Sequence, residues 1–561
     1  MARWRNIPAS WLLTPLVLLF FWLAVGSLVG DSPTMDEQNH LARGLAFLRT
    51  GDPRLSLEHP PLVNALSALP VALLLPDVKL PLDDPSWTEL SPPDVYWYVF
   101  AEQMMWHFGN DVTLMIFLAR LPIVFLTLGL ALVGFHFARE AWGRLSAPLA
   151  FFFLLFEPNL LAHGRYTTTD LGGTAFLFLA AYLLWRLWHG KKLSMVNWLL
   201  ASFGLGLAFG SKLSTLVFVP ILAVTAVLPL YPAQGWRAAL RRLGQFLSAG
   251  LASVLVVWVI FGFEFGPFRF NSAPLQSFNQ WVGPMPTFWA GIGQIAGLGS
   301  GGRAAFLLGQ FSTEGFLAYF PVAFLVKTPL PILLLLPLAA VILVKERQTR
   351  RTAVFFLVPP LLYFLFSLQS GLNIGYRHLL PMLPFLLSLI SGLAHIPRQN
   401  PRSAIGNPKY LLWLGSLWLL AITLWLHPHY LSYFNALAGG PANGARILVD
   451  SNIDWGQDLL RLQQWMADND VEQVELGWFG TANPAYYGLS YEPLPGFPRP
   501  EFYGLWTNPP FDPAAPGPGV YAISASSLWE SHWGEKTVYP WFRQRQPDGR
   551  VGYSILIYDL R

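Results

Sequence analysis

The 561-residue chain contains no cysteine, so disulfide staples and thiolate metal sites are excluded. Charge is scarce as well: Asp, Glu, Lys and Arg make up 12% of the residues, against 53% hydrophobic. Apolar runs of about 20 residues recur too often for a soluble globule, and the composition is that of a polytopic helical membrane protein. Glycine (48), proline (47) and tryptophan (24) are all plentiful. The formal net charge of +4 is best read loop by loop as a matter of membrane orientation, and it argues for no nucleic-acid partner.

Eleven apolar segments are long enough to span or to lie inside a bundle: 11–30, 113–138, 146–161, 171–188, 198–210, 213–231, 246–263, 318–344, 353–368, 379–395 and 410–426. The first follows Arg3 and Arg5 but has no convincing cleavage pattern, so it reads as a retained anchor and not as a signal peptide. With the amino terminus cytoplasmic, the short inner loops collect Arg3, Arg5, Arg139, Arg144, Lys191, Lys192, Arg398, Arg402 and others, 17 Lys and Arg in all. The longer outer loops hold nine, including Arg269 and Arg303. That alternation follows the positive-inside rule and predicts a multi-pass protein of the plasma (inner) membrane. The loop 31–111 and everything after residue 426 then fall on the outer face.

The two ends of the chain differ in pattern. Residues 1–427 form the membrane domain, and 428–561 read as a small extracytoplasmic α/β domain. There Asp454-Trp455-Gly456-Gln457 has the form of a capping box ahead of the stripe Leu459, Leu460, Leu462, Trp465 and Met466. Strands are expected at 447–450, 471–478, 520–524 and 553–558, the first two flanking the helix as a βαβ unit. The stretch 491–518 is rich in proline and aromatic residues and reads as an ordered loop or a linker.

Polar residues with chemical potential gather at the outer ends of the spans. The first outer loop opens with Thr34-Met35-Asp36-Glu37-Gln38-Asn39-His40 and continues to Glu58-His59-Pro60-Pro61. Its apolar stretch 62–75 is short for a span and is placed as a surface helix. The second outer loop carries Arg165 and ends in Asp170, an acid at the head of a span that must face a cavity. Lys212, Lys327, Arg377 and His378 lie at other outer ends. Moving a sugar from a lipid phosphate to a hydroxyl needs a carboxylate to take the acceptor's proton and cations to stabilise the departing phosphate. Asp36 is the candidate base, and Arg165, Lys212, Lys327, Arg377 and His378 are the pool of phosphate contacts. No glycine-rich phosphate loop is present, which suits an outer face without nucleotide sugars.

Each residue has a structural alternative. Thr34 and Glu37 form a capping-box pattern, so Glu37 can serve only to start a helix. In that helix Asp36, His40 and Arg43 share one side and Leu41, Leu45 and Leu48 another. His59 before two prolines suits a turn, Arg377 and His378 suit a span end, and Lys212 can snorkel. No cofactor is called for; His40, His59 and three carboxylates are what a divalent metal would use, but their spacing matches no tight ligand motif.

The Asp36-Glu37 pair after the first span, the His59-Pro60-Pro61 element, Asp170 opening a later span, about eleven spans and an outer tail together resemble the GT-C glycosyltransferases. The resemblance is to the branch of bacterial dolichyl-phosphate-mannose protein mannosyltransferase-like and aminoarabinose transferase-like proteins. It covers roughly residues 3–426, and Tyr433-Phe434-Asn435, Gly439-Gly440-Pro441 and the run from Asp450 to Asp458 are similar to a segment of a bacterial subset. It implies an inverting transfer from a polyprenyl-phosphate monosaccharide without an obligatory metal, serving glycosylation of the cell envelope. It assigns the catalytic acid to Asp36 with Glu37 as helper, and a second acid to Asp170. Glycan, lipid and protein are the candidate acceptors; the α/β tail departs from the β-trefoil of the protein mannosyltransferases, which counts against a protein and leaves lipid or cell-wall glycans open. Two other readings are a lipid-carrier or glycan flippase, and a non-catalytic scaffold that binds glycans through Tyr486, Tyr487, Trp506 and Trp529. Against the flippase, the polar residues avoid mid-membrane and no repeat is evident.

Overall fold

The computed structural model describes residues 9–92, 95–190, 194–270, 273–301, 304–396, 408–496, 511–512, 514–531 and 537–561. Arg3, Arg5, Lys191, Lys192, Arg303, Arg398, Arg402, Trp506 and most of the 491–518 stretch lie outside the described residues. Among those described, six helices are long and apolar enough to cross a membrane: Val112–Trp142, Thr169–His189, Trp236–Ile260, Arg350–Ser367, Tyr376–His395 and Pro408–Leu426. Tyr319–Lys327 and Leu330–Lys345 make a seventh, bent by 107°. The bend falls at Thr328-Pro329, where proline removes a backbone donor and restricts the residue before it. Five shorter apolar helices accompany these, at Leu13–Leu28, Pro61–Leu74, Ala147–Phe156, Met195–Phe209 and Leu213–Val227.

Trp236–Ile260 shows how the bundle is sided. It turns Leu240, Leu247, Leu251, Leu255 and Val259 outward and buries Phe246, Ala249, Ser253 and Val257, a stripe on each face at helical spacing. Such an outward leucine face suits lipid and not water. The long loop after the first helix builds a core of its own, in which Leu41, Leu45, Val71, Trp97, Phe100 and Met104 pack together. The stretch expected to be a surface helix is helical over Pro61–Leu74 and buries Val63, Asn64, Ser67, Ala68 and Val71 against the helix Glu37–Thr50. Gly44 allows that approach, since a Cβ there would come within 2.0 Å of the Asn64 carbonyl oxygen.

In the tail, five strands form one mixed sheet. Tyr491–Pro493 and Val520–Ser524 run parallel to Val474–Gly477, while Ile555–Asp559 runs antiparallel to Val520–Ser524 and to Gly549–Val551. Leu459–Asp468 packs Leu459, Leu462 and Met466 against one sheet face. Two expectations fail here. Residues 447–449 are not a strand and run into a 3-10 turn at Asp450–Asn452, so there is no βαβ unit around the helix. Asp454 caps nothing at that helix, which starts at Leu459 after Asp458; instead its carboxylate accepts from the Ser526 amide at 2.8 Å.

Candidate active site

Asp36 is the residue before the helix Glu37–Thr50, whose amino end provides a favourable field for an anion although the Asp36 side chain caps no amide there. Helical phasing carries Asn39, His40 and Arg43 along the same side, and all four residues line one cavity of about 160 Å³. Glu58 and His59 enter it from the following loop, Asp170 from the first turn of Thr169–His189, Lys212 and Ser214 from the break after Met195–Phe209, and Arg377 and His378 from the start of Tyr376–His395.

A chain of ion pairs crosses the cavity. Lys212 Nζ donates to Asp170 Oδ1 at 2.5 Å, Arg377 Nη1 lies 3.6 Å from Asp170 Oδ2, and the same nitrogen donates to Asp36 Oδ2 at 2.7 Å. The two acids differ in access: the Asp170 side chain is 4% exposed and Asp36 29%. Only one carboxylate oxygen of Asp36 is hydrogen-bonded among the described residues. Two histidines also line the cavity. His59 Nδ1 meets the Thr169 hydroxyl at 3.0 Å, His40 Nδ1 meets Asn64 Oδ1 at 2.9 Å, and the two rings stand edge to face at 4.7 Å. Burial, reinforced by Arg43, pushes His40 down to about 4; burial, then His40 and Arg43, hold His59 well below the usual histidine range. Both imidazoles are therefore neutral near pH 7. Arg43 is tied to Glu58 at 3.4 Å. Among the described residues no three of His, Cys, Asp and Glu converge on a point where a metal would be held.

The structure thus brings together Asp36, His59, Asp170, Lys212, Arg377 and His378. It leaves three other candidates away from the cavity, each with its own partners. Glu37 is fully buried and accepts from Arg120 Nε at 2.8 Å and Nη2 at 2.6 Å, from the Thr167 amide at 2.9 Å and from the Thr34 amide at 2.8 Å. The Thr34 contact is half of the expected capping box, although the helix begins at Glu37 and Thr34 lies ahead of its cap. Arg165 is ion-paired with Asp31, whose carboxyl burial would raise but Arg165, Arg461 and Arg120 hold down at about 2. Lys327 ends its half-helix at the 107° bend and donates to the carbonyls of Leu431, at 2.8 Å, and Asn452. Of the aromatic tail residues, Tyr486 and Tyr487 pack on Trp106, and Trp529 on Phe306. Sequence reasoning missed Arg120, Asn64 and Asp31. The first had a signal, a lone arginine inside an apolar run, which is a functional or structural marker wherever it occurs.

Carboxylates and cations thus meet at one end of an apolar helical bundle, and the mixed-sheet tail packs on that end. Among solved structures, ArnT from Cupriavidus metallidurans bound to undecaprenyl phosphate is similar at a TM-score of 0.50 and 14% identity, over 98% of this chain and 98% of that one. The same protein in the apo state gives 0.46 and 14%, over 97% and 98%. The apo oligosaccharyltransferase of Archaeoglobus fulgidus gives 0.43 and 11%, over 75% of this chain and 57% of that one. No family model and no curated protein matches the chain.

Proposed function

We propose that this protein is an inverting glycosyltransferase that moves a monosaccharide from a polyprenyl-phosphate donor to an acceptor hydroxyl at the outer membrane face. The observation that carries this is Asp36: a part-exposed carboxylate with one oxygen held by Arg377 and the other without a hydrogen bond among the described residues, in the lining of a cavity that also holds Lys212 and His378. This second oxygen takes the acceptor's proton as the acceptor oxygen attacks the anomeric carbon, and the sugar–phosphate bond breaks on the opposite side. Lys212 and Arg377 then face the phosphate that leaves with fixed positive charge, which lowers the barrier, and His378 beside them offers a ring nitrogen for a hydrogen bond. Asp170 keeps Lys212 and Arg377 in place between turnovers. A lipid carrier is favoured by the cavity's position at the end of the bundle and by the undecaprenyl phosphate bound to ArnT.

Four of the shorter helices, Leu13–Leu28, Ala147–Phe156, Met195–Phe209 and Leu213–Val227, complete the eleven spans alongside the seven longer ones, with Pro61–Leu74 on the surface. In the same reading, residues 428–561 are an outer domain and the amino terminus is cytoplasmic. Membranes supplied with a panel of labelled polyprenyl-phosphate sugars test the reaction. Asp36→Asn is expected to abolish label transfer while the protein still folds and inserts. A fully active variant would remove Asp36 as the base.

A further inference from the structure

The run Asp450–Asp458 belongs to the tail by sequence, yet it touches both arms of the cavity. Ser451 Oγ donates to the Ile374 carbonyl at 2.7 Å, and Asn452 Oδ1 accepts from the Tyr376 amide at 2.9 Å, so these two residues hold the backbone that leads into Arg377. A few residues on, the chain pairs with the approach to Asp36. The Ser32 amide donates to the Gln457 carbonyl at 3.0 Å, the Ser32 hydroxyl to the Gly456 carbonyl at 2.8 Å, and the Met35 amide to the Trp455 carbonyl at 2.9 Å. Gly456 makes this passage possible: its φ of +83° is left-handed, and a Cβ there would stand 3.0 Å from the Gly480 Cα.

Trp455 is the residue common to both arms. Its carbonyl fixes Met35, the neighbour of Asp36, and its ring lies under the guanidinium of Arg377, with Cζ 4.4 Å from the ring centroid. The ring is itself immobilised: Trp455 is 1% exposed and meets His163 and Tyr166 edge to face at 5.8 and 6.2 Å. Arg377 Nε is buried with no hydrogen-bond partner among the described residues, so the ring face supports a guanidinium that reaches Asp36 and Asp170 through Nη1 and feels the nearby Asp450 carboxylate. Without that face, the cation is free to swing onto Asp170 or to close over the second oxygen of Asp36.

We propose that Trp455 is a positioning residue of the transfer site, holding Arg377 by its ring face and the approach to Asp36 by its carbonyl, so that the tail completes the active centre. The proposal rests on the function given above. Fluorination of one buried indole tests it without disturbing packing, because fluorine weakens the ring's hold on a cation while keeping its shape. In the purified full-length protein, a 5-fluorotryptophan at 455 should show a 19F resonance that moves when Arg377→Gln is introduced. Progressive fluorination at 455 should lower kcat stepwise by about tenfold overall, the scale of a desolvated cation–π contact. The same treatment of Trp188, which packs on Tyr231 and Phe246, should leave kcat unchanged. A resonance indifferent to Arg377, a flat kcat series at 455, or an equal fall at Trp188 overturns the proposal. Absence of sugar transfer by the unsubstituted protein overturns the function instead, and the resonance still decides whether Trp455 holds Arg377.

Discussion

Arg120 reaches Glu37 from the third turn of Val112–Trp142 and donates to both of its oxygens, and both side chains are buried. A pair so buried is maintained for what its loss would cost: removing one partner leaves an uncompensated charge, worth about 3–5 kcal/mol of stability. Glu37→Gln is therefore expected to lower the thermal unfolding midpoint in detergent sharply, and Arg120→Met combined with it should cost less than Glu37→Gln alone. A Glu37→Gln protein as stable as the wild type but unable to move sugar would return Glu37 to the chemistry. The adjacent pair Asp36-Glu37 was visible in the sequence as two carboxylates. Their opposite fates were not, because Arg120 lies 83 positions from Glu37 and Arg377 lies 341 from Asp36. Local pattern carries no information about partners at such separations.

At the scale of elements, the helix Glu37–Thr50 is the one whose reading survives in most detail. Its phase put Asp36, His40 and Arg43 on one side and Leu41, Leu45 and Leu48 on another; the first group lines the cavity, Leu41 and Leu45 are core, and Leu48 near the helix end is exposed. A period of 3.6 is a property of the helix alone, so it transfers from sequence to structure without knowledge of the fold. The pattern Asp454 to Gln457 misled for the opposite reason: an acid followed three residues on by glutamine suits a cap and a buried turn equally, and the choice depends on Ser526, 72 residues away. The helix also carries its own vulnerability. Gly44 faces the Asn64 carbonyl, and the next bond along that seam is His40 to Asn64. Gly44→Leu forces the two loop helices apart, and overpacking of this kind costs about 1–3 kcal/mol. The expected outcome is a lowered unfolding midpoint together with lost transfer, since His40 leaves the cavity wall with its helix; unchanged values for both would show that the seam can yield.

For the whole molecule, the absence of cysteine makes sidedness directly measurable. Because the tail pairs with residues 32–35 and stacks on Arg377, the tail and the cavity must share one side of the membrane. One label in the tail therefore orients the site as well. Span counting alone cannot do this, since helices of 10–17 residues can cross obliquely, stop part-way or lie on the surface with the same hydropathy. The distribution of lysine and arginine predicts the outcome. Asp468→Cys, on the exposed end of the tail helix, should react with a membrane-impermeant maleimide on intact cells. Arg237→Cys, exposed at the start of Trp236–Ile260, should react only after permeabilisation. The chain's zero cysteine background means that each signal has a single source. The reverse labelling would place Asp36 and its cavity on the cytoplasmic side, where nucleotide sugars are available, and would remove the argument for a lipid-linked donor drawn from the outer face.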